Sequence, residues 1–193
     1  SVKNSFSEIK YFESMGMNMM RCQDTNFLTI PHKFLREIIK LMKENNLKIG
    51  IYIETRPETI NPNTINLLKG LNVIGVGMGV ETASEEYRED KLNRFSSVEK
   101  TIRAFKLLKD AGIKRSSYNI LGLPEQTEKD ILSTIEFNKL INPDNITVSY
   151  YSPFLGTKSA KDGIKSNEYD HASLSSDSQL RTNTFSKHLS KEK

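Results

Sequence analysis

The sequence predicts an α/β fold with a parallel sheet, because helical and strand patterns alternate strictly along residues 5–150 of the 193-residue chain. Amphipathic stretches with a period near 3.6 residues alternate with short β-branched runs, and the connections between them are short. Such alternation implies right-handed strand–helix–strand units. A further observation is a glycine-rich strand, in which Gly75, Gly77 and Gly79 occupy alternate positions. Five strands would form most of an open barrel or one doubly wound sheet.

The first part of the chain contains three predicted helices and two predicted strands. Apolar spacing predicts a helix over residues 5–15, followed by a short buried strand over Met17–Cys22. A continuous apolar stripe predicts a second helix from Pro31 to Asn45. The next elements are a β-branched strand over Lys48–Ile53 and a short helix over Asn63–Lys69.

The same order continues in the second part of the chain. The glycine strand covers Val73–Val80, and an acidic run separates it from a helix predicted over Ser97–Ala111. Ser96 or Ser97 can cap that helix. The remaining elements are a strand over Ser117–Leu121, a helix over Thr127–Ile141 and a last strand over Asn145–Tyr150. The helix that begins at Thr127 starts with an approximate capping box.

The composition of the chain changes after residue 157. Residues 158–193 are rich in Ser, Lys, Asp and Asn, and their few apolar residues are too scattered to form a second core. We therefore expect residues 1–157 to form the core domain and residues 158–193 to form a peripheral or poorly ordered segment.

Charge, hydropathy and cysteine content exclude several classes of protein. The formal net charge of +4 is modest, and Lys and Arg are spread along the predicted helices, so the chain lacks a nucleic-acid footprint. No apolar run approaches the roughly 20 residues of a membrane span. The single cysteine, Cys22, excludes a disulfide framework and favours a reducing, cytoplasmic setting.

Patterns of common hydrolytic and phosphate-binding sites are also absent from the sequence. The three histidines lie at a helix start and in the C-terminal segment, without a Ser–His–Asp arrangement. No P-loop occurs, and GVGMGV lacks the strand-to-helix context of a dinucleotide fingerprint. Cys22 has no neighbouring Cys or His, so we interpret it as a small core residue and expect no metal ligands in this chain.

The glycine strand is the element most suggestive of function. Alternate residues of a strand share a face, so Gly75, Gly77 and Gly79 leave one face without side chains. Such a face suits either a ligand that approaches the backbone or a tightly filled interior. Glu81 follows with the parity of the glycine face. The alternative is a strand packed by small residues and followed by a solvated, charged helix.

Every predicted strand carries, or is followed by, at least one polar side chain at the edge where parallel α/β folds bind ligands. Each has an ordinary structural explanation, such as a helix cap for Asp24 or a salt bridge between Glu54 and Arg56, but together they favour a ligand site. The set suits a ligand with an amine, a carboxylate and hydroxyls, because carboxylates accept hydrogen bonds and an arginine can hold a carboxylate in bidentate fashion. Its members are Asp24, Glu54, Arg56, Glu81, Asn119 and Ser152.

Four segments in this order resemble the radical S-adenosylmethionine (radical SAM) enzymes: ETRPE, VGVGMGVETASEEYREDKLNR, YNILGLPEQTEKD and VSYYSPFLGT. The chain is most similar to the subgroup that often carries an upstream cobalamin-binding domain and overlaps the methylthiotransferase-like proteins. The likeness runs from Ser5 through Thr157 and continues faintly into the C-terminal segment. It implies a partial (β/α)6 TIM-like barrel with outer helices, of which this chain holds the second to sixth strands.

The resemblance also implies S-adenosylmethionine lying across the strand ends. Carried over by position, Glu54 would contact the methionine amino group and Glu81 would accept hydrogen bonds from the ribose hydroxyls. Arg94 would pair with the methionine carboxylate, with Arg56 as the competing candidate for this role.

The resemblance also implies roles for the other residues at the strand ends. Asn119 would face the ribose or the substrate, and the backbone near Leu121 and Tyr150 would meet the adenine. Asp24 would lie on the substrate side. The substrate itself is not identified by these motifs.

The chain departs from the family in two motifs. The CxxxCxxC motif is absent and only Cys22 exists, so a 4Fe–4S cluster would need ligands outside this chain. The Gly-Gly-Glu motif is also missing, and QDTNF stands in its place, as in the cobalamin-associated subgroup. Because a helix opens the chain with no strand before it, truncation of the first βα unit is the simplest explanation for the missing cysteines.

Three functions follow as expectations. In the first, the intact protein would be a radical SAM enzyme that forms a 5′-deoxyadenosyl radical with electrons from a flavodoxin- or ferredoxin-like donor. Any upstream domain would supply cobalamin. The part of the protein that this chain covers would be inactive by itself. Alternatively, a barrel that has lost its cluster would bind a nucleoside or a protein. An unrelated TIM-like aldolase or synthase would need a lysine or a phosphate-binding loop at the strand ends, and neither stands out.

Overall fold

The computed structural model describes residues 1–166. Their five strands are all parallel and follow one another in chain order across a single curved sheet, which confirms the predicted α/β half-barrel. The strands are β1 Met19–Arg21, β2 Gly50–Thr55, β3 Val73–Glu81, β4 Lys114–Leu121 and β5 Asn145–Tyr150.

The helices that connect these strands match the predicted positions within a few residues. Each predicted helix is present, and a short helix also forms in the acidic run after β3. They are α1 Val2–Ser14, α2 His32–Glu44, α3 Pro62–Gly70, α4 Glu85–Asp90, α5 Val98–Asp110, α6 Glu128–Ile141 and α7 Lys158–Lys165. Short 3₁₀ turns cover Phe27–Thr29 and Pro57–Thr59.

Helix caps follow the local sequence. Ser97, not Ser96, caps α5 by accepting a hydrogen bond from the Lys100 amide at 3.2 Å. Thr127 and Asp130 form the expected capping box at the start of α6. Each such cap stabilises its helix by about 1 kcal/mol, so these starts are specified locally.

The core lies between the outer face of the sheet and the helices. Val76, Met78 and Val80 alternate with the glycines of β3, and each is at most 2% exposed. They belong to one apolar cluster with Phe105 and Leu108 of α5. Burial of each such side chain contributes about 1.5–3 kcal/mol, which is why the glycine strand holds its place despite its bare inner face.

The prediction that β1 is a buried strand was wrong. It pairs only with β2 and therefore forms an edge of the described sheet, and its Met19 is 53% exposed. At the other edge, β5 exposes Ile146 and Val148 by about the same fraction, 52% and 53%. An apolar run therefore predicted a strand correctly but did not predict how deeply it is buried.

The segment expected to be peripheral begins with α7, an eight-residue helix capped by Thr157. The rest of that segment, residues 167–193, lies outside the described residues. The division of the chain at residue 157 stays a prediction. Among the helices of residues 1–166, none combines the length and apolar character that crossing a bilayer requires.

Candidate functional site

Two of the three glycines on the inner face of β3 make room for tyrosine side chains. A Cβ atom at Gly75 would lie 2.7 Å from Cδ2 of Tyr52, and one at Gly77 would meet the hydroxyl group of Tyr118. The tyrosines come from the neighbouring strands β2 and β4. Over this part of β3 the bare face is therefore covered by the protein's own side chains.

The tyrosines belong to a polar cluster around Glu54. The Tyr118 hydroxyl donates to Glu54 Oε1 at 3.2 Å and lies 3.0 Å from the Tyr52 hydroxyl. Arg21 forms an ion pair with Glu54, and its guanidinium lies 5.3 Å from the centre of the Tyr52 ring. Burial, together with the hydrogen bond to Tyr52, raises the pKa of Tyr118. The hydroxyl of Tyr118 therefore remains a donor to Glu54 at neutral pH.

Sequence reasoning missed the other members of this cluster. Arg21, Tyr52 and Tyr118 were not among the predicted site residues. A signal was present, because Tyr52 precedes Glu54 by two residues and shares its face of the strand. Arg21 aligns with Tyr52 in the β1–β2 register, which the sequence alone does not give.

The third glycine, Gly79, lies beneath the carboxylate of Glu81. A Cβ atom at Gly79 would be 3.1 Å from Cδ of Glu81 and closer still to its Oε1. Glu81 has a φ of 63° and sits at the centre of a tight turn in which the Thr82 amide donates to the Val80 carbonyl at 2.8 Å. This turn bends the side chain of Glu81 back over the inner face.

Arg94 completes the group at the carboxyl end of β3. Its Nη2 lies 3.3 Å from Glu81 Oε1, and the exposed fractions of the two side chains are 37% for Arg94 and 11% for Glu81. Burial raises the pKa of Glu81, while the positive charges of Arg94 and then Arg88 oppose that rise. The pair thus presents a desolvated carboxylate beside a guanidinium that solvent can still reach.

Two other predicted site residues lie apart from this pair. Arg56 follows β2, is exposed, and lies 3.9 Å from Glu58 across an ion pair. Asp24 is exposed after β1 and lines a cavity of about 360 Å³ together with Cys22. Burial, with the negative charges of Asp24 and Glu8, raises the pKa of the Cys22 thiol to about 11.

The remaining predicted residues lie in β4 and β5 or directly after β5. Asn119 is 4% exposed, and its Oδ1 accepts a hydrogen bond from Asn138 Nδ2 of α6 at 2.8 Å. The carbonyl of Leu121 accepts from the Tyr151 amide at 2.7 Å, and Tyr150 aligns with Leu121 in the β4–β5 register. The structure thus joins Glu81 with Arg94 and Glu54 with Arg21, but it directs the Asn119 side chain towards α6.

The chemistry of the inner face suits an organic ligand rather than a metal ion. Glu81 and Glu54 can accept hydrogen bonds from hydroxyl or ammonium groups, and Arg94 can hold a carboxylate. Within residues 1–166, no group of three or more His, Cys, Asp or Glu side chains is placed to hold a metal ion. Cys22 is the only cysteine of the sequence, so this chain does not supply the thiolates of an iron–sulfur cluster.

Comparison with protein families gives one match that covers most of the chain. The model described as "Radical SAM superfamily" matches residues 2–137. A protein of Methanocaldococcus jannaschii provisionally named a methylthiotransferase is 26% identical over 126 residues, which are 65% of this chain and 27% of the relative. The chain spans about a quarter of the length of the curated relatives that it matches.

Solved structures show the same fold at low sequence identity. The radical S-adenosylmethionine methyltransferase TsrM from Kitasatospora setae, determined with cobalamin and a [4Fe–4S] cluster bound, superposes with a TM-score of 0.68. The identity is 17%, over 77% of this chain and 31% of that one. Coproporphyrinogen III oxidase from Escherichia coli, described as a radical SAM enzyme, gives a TM-score of 0.67 and 21% identity, over 90% of this chain and 41% of that one.

Proposed function

Because this chain belongs to the radical SAM superfamily, we propose that it forms the S-adenosylmethionine-binding part of an enzyme that cleaves this cofactor reductively. The observation that carries the proposal is the pair of Glu81 and Arg94 over Gly79, at the carboxyl end of a parallel strand. Parallel α/β folds bind ligands at this edge, and the side chains there match the hydroxyl, ammonium and carboxylate groups of the cofactor.

The charged residues of the inner face take complementary roles in this proposal. Arg94 binds the methionine carboxylate, since its guanidinium remains partly exposed. Arg56, which follows β2, is the competing candidate for this role. Glu81 accepts hydrogen bonds from the ribose hydroxyls. Glu54 accepts from the methionine ammonium group, and the Tyr118 hydroxyl donates a hydrogen bond to the same carboxylate.

Backbone groups at the ends of β4 and β5 complete the proposed site. The adenine lies against the main chain at Leu121 and Tyr150, which are aligned neighbours in the sheet. Asp24 faces the substrate side. We leave Asn119 out of the binding set because Asn138 already holds its amide oxygen on the other face of the sheet.

The wider activity rests on groups that this chain does not supply. Bound at a 4Fe–4S cluster, S-adenosylmethionine supplies a 5′-deoxyadenosyl radical, and the cluster's cysteines would lie outside this chain. A flavodoxin- or ferredoxin-like protein would deliver the electron in a cytoplasmic setting, and a further domain would carry cobalamin. What residues 1–166 contribute is a preformed carboxylate–guanidinium pair that binds and orients the cofactor.

One observation favours a second function. A single cysteine in 193 residues suits a barrel that binds a nucleoside or a protein without radical chemistry. Iron and sulfide measured in the protein purified from its native source distinguish the two functions. Stoichiometric iron and sulfide support the enzyme, whereas their absence from anaerobically prepared protein supports the binding function.

The site assignment is tested by equilibrium binding of S-adenosylhomocysteine, which cannot be cleaved reductively. We expect Glu81→Gln and Arg94→Gln each to weaken binding about 10- to 100-fold, because each variant loses a charge-assisted hydrogen bond worth about 1.5–3 kcal/mol. Arg103→Gln is the matched control, since Arg103 is exposed on α5 and takes part in none of the ion pairs found within residues 1–166. Undiminished affinity in both site variants would overturn the assignment.

A further inference from the structure

The short helix α4 contains a buried arginine, Arg88, whose guanidinium donates hydrogen bonds to backbone carbonyl groups. Arg88 is 3% exposed, although arginine is rarely buried unless it is paired. None of the ion pairs among the described residues involves Arg88. Burial lowers the pKa of Arg88, yet an arginine stays protonated in proteins. The protein therefore bears the cost of burying a charge at this position.

Backbone carbonyl groups compensate for that cost. Nη1 of Arg88 donates to the carbonyl of Thr82 at 2.5 Å and to that of Ala83 at 3.2 Å. Its Nη2 donates to the carbonyl of Ser96 at 3.0 Å. Three hydrogen bonds from one charged, planar group fix the relative positions of the segments that accept them.

The segments joined in this way are those that carry the two proposed cofactor-binding side chains. Thr82 and Ala83 directly follow Glu81, and Ser96 is two residues beyond Arg94. The carbonyl of Arg88 also accepts a hydrogen bond from the Arg94 amide at 2.8 Å. One residue thus connects the chain on both sides of the pair.

Glu81 needs such support because its backbone is strained. Its φ of 63° lies in a region that costs a residue with a side chain about 1–3 kcal/mol. Of the six described non-glycine residues with positive φ, four are asparagines, which tolerate this conformation better. A strained residue keeps its conformation only where its surroundings hold it, and the bond from Arg88 to Thr82 lies immediately after the turn.

Nearby carboxylates help to keep the buried Arg88 charged. Glu85 and Glu89 lie on the same helix as Arg88, and together with Glu81 their charges favour its protonated form. Glu85 is itself engaged, since its Oε2 accepts a hydrogen bond from the Val98 amide at 2.9 Å. Arg88 thus adds positive potential near Glu81 without competing with Arg94 for direct contact.

We infer that Arg88 is a positioning residue, which holds Glu81 and Arg94 in the geometry that binds S-adenosylmethionine. The inference rests on the proposed function of the pair. Arg88 itself does not contact the cofactor, because its guanidinium is buried beneath the backbone of residues 82–83 and 96.

The test compares Arg88→Lys and Arg88→Met with the wild-type protein in S-adenosylhomocysteine binding. Lysine keeps the charge but cannot bond three carbonyls in the same plane, so we expect about 10-fold weaker binding for Arg88→Lys and a larger loss for Arg88→Met. The matched control is Arg115→Met. Arg115 is also buried, at 7% exposed, but it pairs with Asp144 at the amino end of β4.

A second measurement separates positioning from general stability. The carboxyl carbon of Glu81, followed by NMR as a function of pH, should titrate with a higher pKa in Arg88→Met and stay unchanged in Arg115→Met. Should Arg88→Met fail to fold, the affinity of Arg88→Lys decides, because lysine keeps the positive charge and is not expected to shift the Glu81 titration. Wild-type affinity in both Arg88→Lys and Arg88→Met would overturn this inference and leave the proposed function intact. An absence of binding by the wild-type protein would instead count against the proposed function itself.

Discussion

Adding one methyl group at Gly79 should displace the carboxylate of Glu81 without altering any charge. In Gly79→Ala the new Cβ would lie 3.1 Å from Cδ of Glu81 and 3.6 Å from Nη1 of Arg94, with Oε1 closer than either. Carbon atoms in contact prefer about 3.5–4.0 Å. The carboxylate must therefore move by roughly 1 Å, which disturbs its 3.3 Å contact with Arg94.

The size of the effect follows from that displacement. A misplacement of about 1 Å in a binding group can reduce activity by around 100-fold, and each 1.4 kcal/mol lost weakens binding 10-fold. We expect Gly79→Ala to weaken S-adenosylhomocysteine binding about 10- to 100-fold in equilibrium dialysis. Glu81→Asp in the same protein should restore part of the loss, because its shorter side chain withdraws the carboxylate from the new methyl group.

Gly50→Ala is the control for this prediction. It adds the same methyl group at the amino end of β2, where it would press on the side chain of Ile74 at 2.8 Å rather than on Glu81. Both variants should lose about 1–3 kcal/mol of stability through overpacking, but only Gly79→Ala should lose affinity. Equal affinities in the wild-type protein and Gly79→Ala would refute the reasoning that the glycine exists to seat the Glu81 carboxylate.

Two further predictions concern stability. Burial alone would raise the pKa of Asp144, but hydrogen bonds from the Arg115 amide and from the Lys114 and Arg115 side chains lower it to about 2. The stabilisation that ionised Asp144 gives the folded state is therefore present above about pH 4 and lost as the pH falls towards 2. In urea unfolding, Asp144→Asn should lower the free energy of unfolding by about 1–2 kcal/mol at pH 7 and by little at pH 2. A loss that does not depend on pH would contradict this prediction. Glu125 is exposed and has a φ of 61°. In thermal unfolding, Glu125→Gly should stabilise the protein by about 0.5–1 kcal/mol, because glycine adopts a positive φ without strain. Glu125→Ala should leave the stability unchanged, because alanine keeps the strained backbone.

Local interactions explain why the secondary structure could be predicted from the sequence. The capping box of Thr127 and Asp130 and the apolar stripe of α2 depend on residues within four positions of each other. The depth of burial could not be predicted in the same way. Met19 lies in an apolar run that suits a buried strand, but β1 has a partner on one side only, so half of that side chain is exposed.

Some residues of the candidate site could be predicted from the sequence and others could not, because several of them meet only through strand pairing. Glu81 and Arg94 could be named from their motif, and Glu54 from its place at the carboxyl end of a predicted strand. The sequence did not indicate that Arg21 would pair with Glu54, because they lie 33 positions apart and meet only through the β1–β2 register. Nor did it indicate that Asn119 would accept a hydrogen bond from Asn138 of α6, since one pleat decides on which face of the sheet a side chain lies.

By itself, the sequence determined the parallel α/β half-barrel, the order of its elements and a strand with three glycines on one face, because periodicity and turn signals act over short distances. It left open whether that bare face meets a ligand or a filled interior. The tertiary structure answers this question for each glycine. The side chains of Tyr52 and Tyr118 lie over Gly75 and Gly77, and the carboxylate of Glu81 lies over Gly79. The space above Gly75 and Gly77 is filled by side chains from the neighbouring strands, and only the register of those strands determines which side chains they are. Glu81 reaches the space above Gly79 because the turn at its own position bends its side chain back along β3.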